Sequence, residues 1–178
     1  MHNSKIKKKI ITLIGPTACN KTSTAVHLIK KFPISIIGVD SVQIYKRFNI
    51  GSAKPPKEIL EKYKHHLVDS ADPENIFSVK DFYDQAYRIV MQAHSNNRIP
   101  LLVGGTMMYF NALFKGINDI PEGNEAIREE LQRELDNRGV DKLFNEFKEI
   151  DPESAKTIKQ NDKQRIMRAL EVFKISGK

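Results

Sequence analysis

A chain of 178 residues that is 40% apolar and 29% charged can bury one globular core and is too polar for a membrane protein. No apolar run reaches the length of a bilayer span, and the single cysteine, Cys19, excludes an internal disulfide framework and fits a reducing compartment. The formal net charge of +7 favours an anionic partner, polyphosphate or nucleic acid, without identifying which.

The opening stretch, MHNSKIKKKIITLIG, has a basic start and a short apolar run but lacks a small-residue cleavage site. Ile10 to Ile14 is therefore expected to be a buried first strand rather than a signal peptide, in a cytoplasmic protein. Lys5, Lys7, Lys8 and Lys9 read as a solvated, frayed terminus. The strand runs into GPTACNKT, Gly15 to Thr22, and then into an amphipathic segment from Thr22 to Phe32. Strand, loop and helix in that order fit the phosphate-binding pattern G-x-x-x-x-G-K-[ST] in all but one position. Backbone N–H groups and the helix N-terminus would hold phosphate, Lys21 would reach its oxygens, and the Thr22 hydroxyl would hold Mg²⁺. The misfit is Asn20 at the second glycine, where Asn is the least unfavourable replacement because it tolerates the left-handed region. The plainer alternative is an ordinary strand-to-helix turn. Cys19 lies near a helix N-terminus, where a thiol pKa can be lowered, but reads first as a small filler.

Ile34 to Val39 is a second buried strand that delivers Asp40-Ser41 at its C-terminal end, where ligands bind in open α/β sheets. Val42 to Lys57 reads as an irregular, functional or mobile connection. His65 to Asp69 is another short strand, and the His pair points to no metal because neighbours on a strand face opposite ways. Ser78, with Asp81 three residues on, caps a helix whose core face is Phe82, Tyr83, Ala86, Ile89, Val90 and Ala93. Pro100 to Val103 is a third strand ending in Gly104-Gly105-Thr106, followed by a helix from Thr106 to Lys115 with Gly116 as its C-cap. Ile117 to Gly123 is linker-like, and charged helices follow over Glu125 to Arg138, Asp141 to Ile150, Pro152 to Ile158 and Asp162 to Ile175. The expected division is an α/β core over 1–116 and a helical lobe over 117–178, on which Arg128, Arg165 and Arg168 taken alone would be a solvated face.

Several of these stretches agree on one family. The sequence resembles the tRNA dimethylallyltransferases, which transfer an isopentenyl-type group from dimethylallyl diphosphate to the exocyclic N6 of an adenosine beside the anticodon. The resemblance rests on Gly15-Pro16-Thr17-Ala18 with Lys21-Thr22, Asp40 to Tyr45, Ile50 to Pro55, Leu101 to Thr106 with Tyr109, and Asn161-Asp162 through Arg165 to Arg168-Ala169-Leu170-Glu171-Val172. It implies a P-loop nucleotide-kinase-like fold, a parallel sheet with helices on both faces and a helical insertion lobe that contacts tRNA. It implies that Asp40 takes the proton of the attacking amine, and that Thr106 positions the amine or the diphosphate. Gly15, Pro16, Thr17, Ala18, Cys19, Asn20, Lys21 and Thr22 would bind the diphosphate, with Mg²⁺ on Thr22. Asp40, Ser41, Val42, Gln43, Thr106, Arg128, Gln164, Arg165, Ile166, Met167 and Arg168 would contact the anticodon stem-loop of tRNA. From the residues alone, Asp40 is equally an N-cap or an outer ligand of Mg²⁺.

The expected protein is a cytoplasmic monomer with no membrane partner. Two departures stand out: Cys19-Asn20 where the family has Ser-Gly, and a length shorter than that of family members, which implies an exposed sheet edge and an incomplete site. The alternatives are an inactive, truncated remnant of the enzyme and a small-molecule P-loop kinase. Asp40-Ser41 and Gly104-Gly105-Thr106 argue against the kinase.

Overall fold

The computed structural model describes residues 9–117 and 120–177, so Lys5, Lys7, Lys8 and part of the expected linker lie outside the described residues. The chain divides into two compact units, Met1–Ile117 and Asn118–Lys178.

The first unit contains strands β1 (Ile11–Ile14), β2 (Ile34–Val39), β3 (His65–His66) and β4 (Ile99–Gly104), with helices α1 (Lys21–Ile29), α2 (Lys57–Lys62), α3 (Val79–Ser95) and α4 (Met107–Lys115). All strand pairs are parallel, in the order β1-β4-β2-β3. Side chains alternate between the two faces of the sheet. Ile34, Ile36 and Leu101 pack with Ala25 of α1 on one face. Ile37, Val39 and Leu102 pack with Phe82, Ala86 and Val90 of α3 and with Tyr109 and Phe110 of α4 on the other. Every residue of β2 is buried, which is why it reads as an unbroken apolar run. The arrangement is α/β of the P-loop kinase-like type, with both faces of the sheet covered.

β1 differs from the buried first strand expected of it. It pairs with β4 alone among the described residues, and Ile11 and Ile14 remain 43% and 45% exposed. An apolar run is compatible with the centre or the edge of a sheet, and only the strand order distinguishes them. The strand expected over His65 to Asp69 is confined to His65–His66, because Leu67 and Asp69 turn into the left-handed region. α2 follows the region read as irregular, in a stretch to which no element was assigned; it is a single short helix starting after Pro55-Pro56 and buries no residue fully.

The second unit consists of α5 (Glu125–Arg138), α6 (Val140–Ile150), α7 (Pro152–Ala155) and α8 (Lys163–Ser176) around a core of Leu131, Leu143, Phe147, Ile166 and Leu170. Asn124, Asp151 and Asp162 cap α5, α7 and α8 through their side chains. Gly139, at φ 79°, ends α5 and starts α6. α7 stops at Ala155, short of the Ile158 expected from sequence.

Candidate active site

β1 leads through Ile14 into the loop Gly15 to Thr22, and α1 begins at Lys21 with Asn20 as its N-cap. Ala18 and Asn20 have φ values of 64° and 61°, so left-handed residues alternate with ordinary ones, the backbone pattern from which anion-binding concavities are made. Asn20 thus adopts the conformation for which the pattern reserves glycine. Its side chain makes no capping bond, but its carbonyl accepts from the Thr24 N–H (3.1 Å), Ser23 Oγ (2.9 Å) and Thr24 Oγ1 (3.0 Å). The first turn of α1 carries no acidic residue, so its positive end is not offset by a carboxylate of its own. Lys21 Nζ donates to the carbonyls of Gly15 (2.8 Å) and Pro16 and lies 3.6 Å from Cys19 Sγ, which sets the ammonium inside the loop. A Cβ on Gly15 would stand 2.7 Å from Cys19 Sγ, so a side chain there would displace the Cys19 thiol.

The C-terminal ends of β2 and β4 supply the other wall. Asp40 Oδ1 accepts from the N–H groups of Val42 (2.9 Å) and Gln43 (3.1 Å), closing a turn, while no described donor reaches Oδ2. The Gln43 amide donates to the carbonyls of Ser52 (3.1 Å) and Ala53 (3.0 Å) and fastens the following loop. Lys54 fastens it a second time: its side chain is 3% exposed and Nζ reaches Tyr45 O (2.8 Å), Asn49 Oδ1 (3.2 Å) and Asp69 Oδ1 (2.5 Å). Thr106 Oγ1 accepts from the Ser41 N–H (3.0 Å), and the Gly105 and Thr106 N–H groups donate to Val39 O (3.2 Å each). A side chain on Gly104 would collide with the Val39 carbonyl. Beneath this wall Tyr109 stacks on Phe82 at 4.0 Å. Burial, then the nearby Tyr45, Asp40 and Asp81, push its phenol up to about 12.

The two walls enclose a cleft of about 580 Å³ lined by Thr17 to Thr22, Asp40, Gln43 and Gly104. The loop before α1 and Asp40 therefore face a common space. Thr106 does not line it; its hydroxyl is bonded to the amide of Ser41, the residue after Asp40. Thr22 and Asp40 offer a hydroxyl and a carboxylate to the same cleft, a hard-oxygen set that suits Mg²⁺ shared with substrate phosphates and water. No group of three or more His, Cys, Asp or Glu side chains that could hold a metal by themselves occurs among the described residues. His65 and His66 sit on β3; burial lowers the pKa of both, and Lys64, Arg98 and His65 lower His66 further.

The remaining expected site residues belong to the second unit. Arg128, Gln164, Met167 and Arg168 line one cavity of about 570 Å³ with Glu171. Arg165 instead pairs with Asp162 at 2.5 Å on the surface. Ile166 is fully buried in the helical core, so its side chain is unavailable for the RNA contact expected of it. Glu171 and Lys54 are the structural residues whose roles sequence reasoning missed. Burial pushes the Glu171 carboxyl up, but bonds from Arg168 and the Asn124 N–H and the charges of Arg128 and Arg168 hold it below the usual range.

Comparison with known proteins gives these sites a family. The family model described as IPP transferase matches residues 43–178. A tRNA dimethylallyltransferase of Vesicomyosocius okutanii is 45% identical over 98% of the chain and 57% of its own length. The full-length tRNA isopentenylpyrophosphate transferase of Bacillus halodurans superposes with a TM-score of 0.61 at 39% identity, covering 96% of this chain and 57% of that one. A eukaryotic dimethylallyltransferase solved acting on tRNA has a TM-score of 0.79 at 28% identity, covering 96% of this chain and 42% of that one. The chain thus spans about half the length of the relatives it matches. With the family model matched from residue 43 onward and relatives at 44–45% identity over nearly the whole chain, this protein belongs to the IPP transferase family, that of the tRNA dimethylallyltransferases.

Proposed function

We propose that this chain carries the donor-binding and catalytic cleft of a tRNA dimethylallyltransferase. The observation that carries the reading is the shared cleft: a phosphate loop on one wall and the Asp40 carboxylate on the other, with one oxygen of that carboxylate unclaimed by described donors. The loop N–H groups and Lys21 hold the diphosphate of dimethylallyl diphosphate and stabilise the charge that grows on it as it departs. Mg²⁺ bound beside Thr22 would neutralise part of that charge. The exocyclic N6 of an adenosine attacks C1 of the dimethylallyl group, the bond from C1 to the diphosphate oxygen breaks, and the proton shed by the amine passes to Asp40. Thr106 keeps Asp40 in register by holding the next residue's amide. Gln43 lines the cleft where the base would enter, and Arg128, Gln164, Met167 and Arg168 supply tRNA contact from the helical unit. The acceptor is the anticodon stem-loop, whose target base must leave its stack to react. The protein is read as a cytoplasmic monomer.

Asp40→Asn tests the assignment, because Asn keeps an oxygen for the Val42 and Gln43 N–H groups and loses the proton acceptor together with its charge, and donor affinity reports whether that charge also serves Mg²⁺. Turnover should fall by about 10²- to 10⁴-fold, the range for a positioned base, while donor affinity measured by calorimetry stays within about threefold. Unchanged turnover would remove Asp40 from the chemistry.

A further inference from the structure

Glu171 is 1% exposed, although its helix is rich in charged residues. Its Oε1 accepts from the Asn124 N–H (2.8 Å) and Arg128 Nε (2.9 Å), and its Oε2 accepts from Arg168 Nη1 (2.6 Å). Arg168 is fixed a second time by Nη2, which donates to Pro121 O at 2.7 Å. Arg128 bonds through Nε and lies against Gly123, which leaves no room for a side chain there; its two terminal nitrogens donate to no acceptor among the described residues, and its side chain is 55% exposed. One buried carboxylate therefore gathers two guanidinium groups in the lining of one cavity and leaves the terminal nitrogens of Arg128 without an acceptor among the described residues. Two cations side by side repel, and long Arg side chains lose rotamer freedom when fixed, so an arrangement of this kind needs an anion beneath it. An Arg whose Nε is already engaged keeps a terminal pair of N–H donors spaced to grip one phosphate.

We infer that Glu171 is a positioning residue that presents Arg128 and Arg168 as a paired clamp for a backbone phosphate of the RNA. The inference rests on the proposed tRNA-binding role of this unit. It makes a prediction opposite in sign to simple electrostatics. Glu171→Gln removes a negative charge from a nucleic-acid-binding face, which by charge alone tightens RNA binding a few-fold. A positioning role requires the reverse.

The experiment is equilibrium binding of unmodified tRNA across a salt series to the parent protein and to Glu171→Gln, Arg128→Ala, Arg168→Ala and the Arg128→Ala/Glu171→Gln double variant, at a temperature where circular dichroism reports each as folded. Arg128→Ala and Arg168→Ala should each weaken binding about 10-fold and reduce the slope of log K against log salt by about 0.7, the loss of one phosphate contact. Glu171→Gln should also weaken binding at least about 10-fold and flatten the slope, and the further loss in the double variant relative to Arg128→Ala should not exceed the loss in Arg168→Ala, because Arg168 is then the one arginine left for Glu171 to position. Binding by Glu171→Gln that equals or exceeds the parent's, with an unchanged slope, would overturn the inference while leaving the arginines as RNA contacts. Arginine variants that bind within twofold of the parent would overturn it together with the RNA-binding reading of this unit.

Discussion

At the scale of single residues, the loop between β1 and α1 turns on Asn20. Its φ of 61° is the left-handed value, and the side chain lines the cleft that the diphosphate would enter. For a residue with a Cβ this conformation costs roughly 1–2 kcal/mol, less for Asn. Asn20→Ala should therefore lower unfolding stability by about 1 kcal/mol, measured by denaturant titration, because Ala keeps the strain without Asn's tolerance of it. Asn20→Gly should leave stability near the parent's and raise affinity for inorganic diphosphate, since it clears a side chain from the cleft and lets the backbone approach more closely. Diphosphate affinity lower in Asn20→Gly than in the parent would mean that the Asn side chain itself contacts the ligand. Lys21 needs no such compensation, being held inside the loop by the Gly15 and Pro16 carbonyls.

At the scale of elements, α3 illustrates what a local signal can decide. Ser78 Oγ accepts from the Asp81 N–H at 3.1 Å, and Asp81 Oδ2 accepts from the Ser78 N–H at 2.9 Å and from its hydroxyl at 2.6 Å, a complete capping box. Ser78→Ala should cost about 1 kcal/mol. The bonds from the Ser78 side chain and backbone hold the Asp81 carboxyl below its usual range. A carboxylate with a depressed folded pKa adds stability that is present above its unfolded pKa and lost as pH falls through the folded value. The stability gap between parent and Asp81→Asn, measured by thermal unfolding, should therefore be full at neutral pH and close in acid; a gap independent of pH would contradict this account of the cap.

Capped and apolar elements of this kind were legible because the cause lies within the segment: the Ser78 box, the unbroken run of β2, the Gly139 break between α5 and α6. What was not legible depends on partners distant in sequence. The exposure of β1 follows from its place beside β4, and α2 lacks enough turns for a periodicity to register. Glu171 looks like any other charge on a charged helix until α5 brings Arg128 beside it. Ile166 lies within a stretch expected to touch RNA, yet its side chain faces the helical core because neighbours on a helix point in different directions. In the cleft, the loop motif and the end of β2 pointed to residues that line one space, Thr17 to Thr22 and Asp40, whereas the bond between Thr106 and the Ser41 amide depends on the register of β2 on β4.

At the scale of the molecule, the two units divide the proposed work between a donor cleft on a parallel sheet and an arginine-bearing helical surface. The most direct measurement is transfer of label from dimethylallyl diphosphate to unmodified tRNA, with Mg²⁺, by this chain and by its Asp40→Asn and Lys21→Ala variants. Label on the adenosine beside the anticodon, sharply reduced in both variants, is the predicted result. A folded protein that binds both diphosphate and tRNA yet transfers no label, or transfers it equally well without Asp40, would contradict the assignment of the cleft as the site of prenyl transfer.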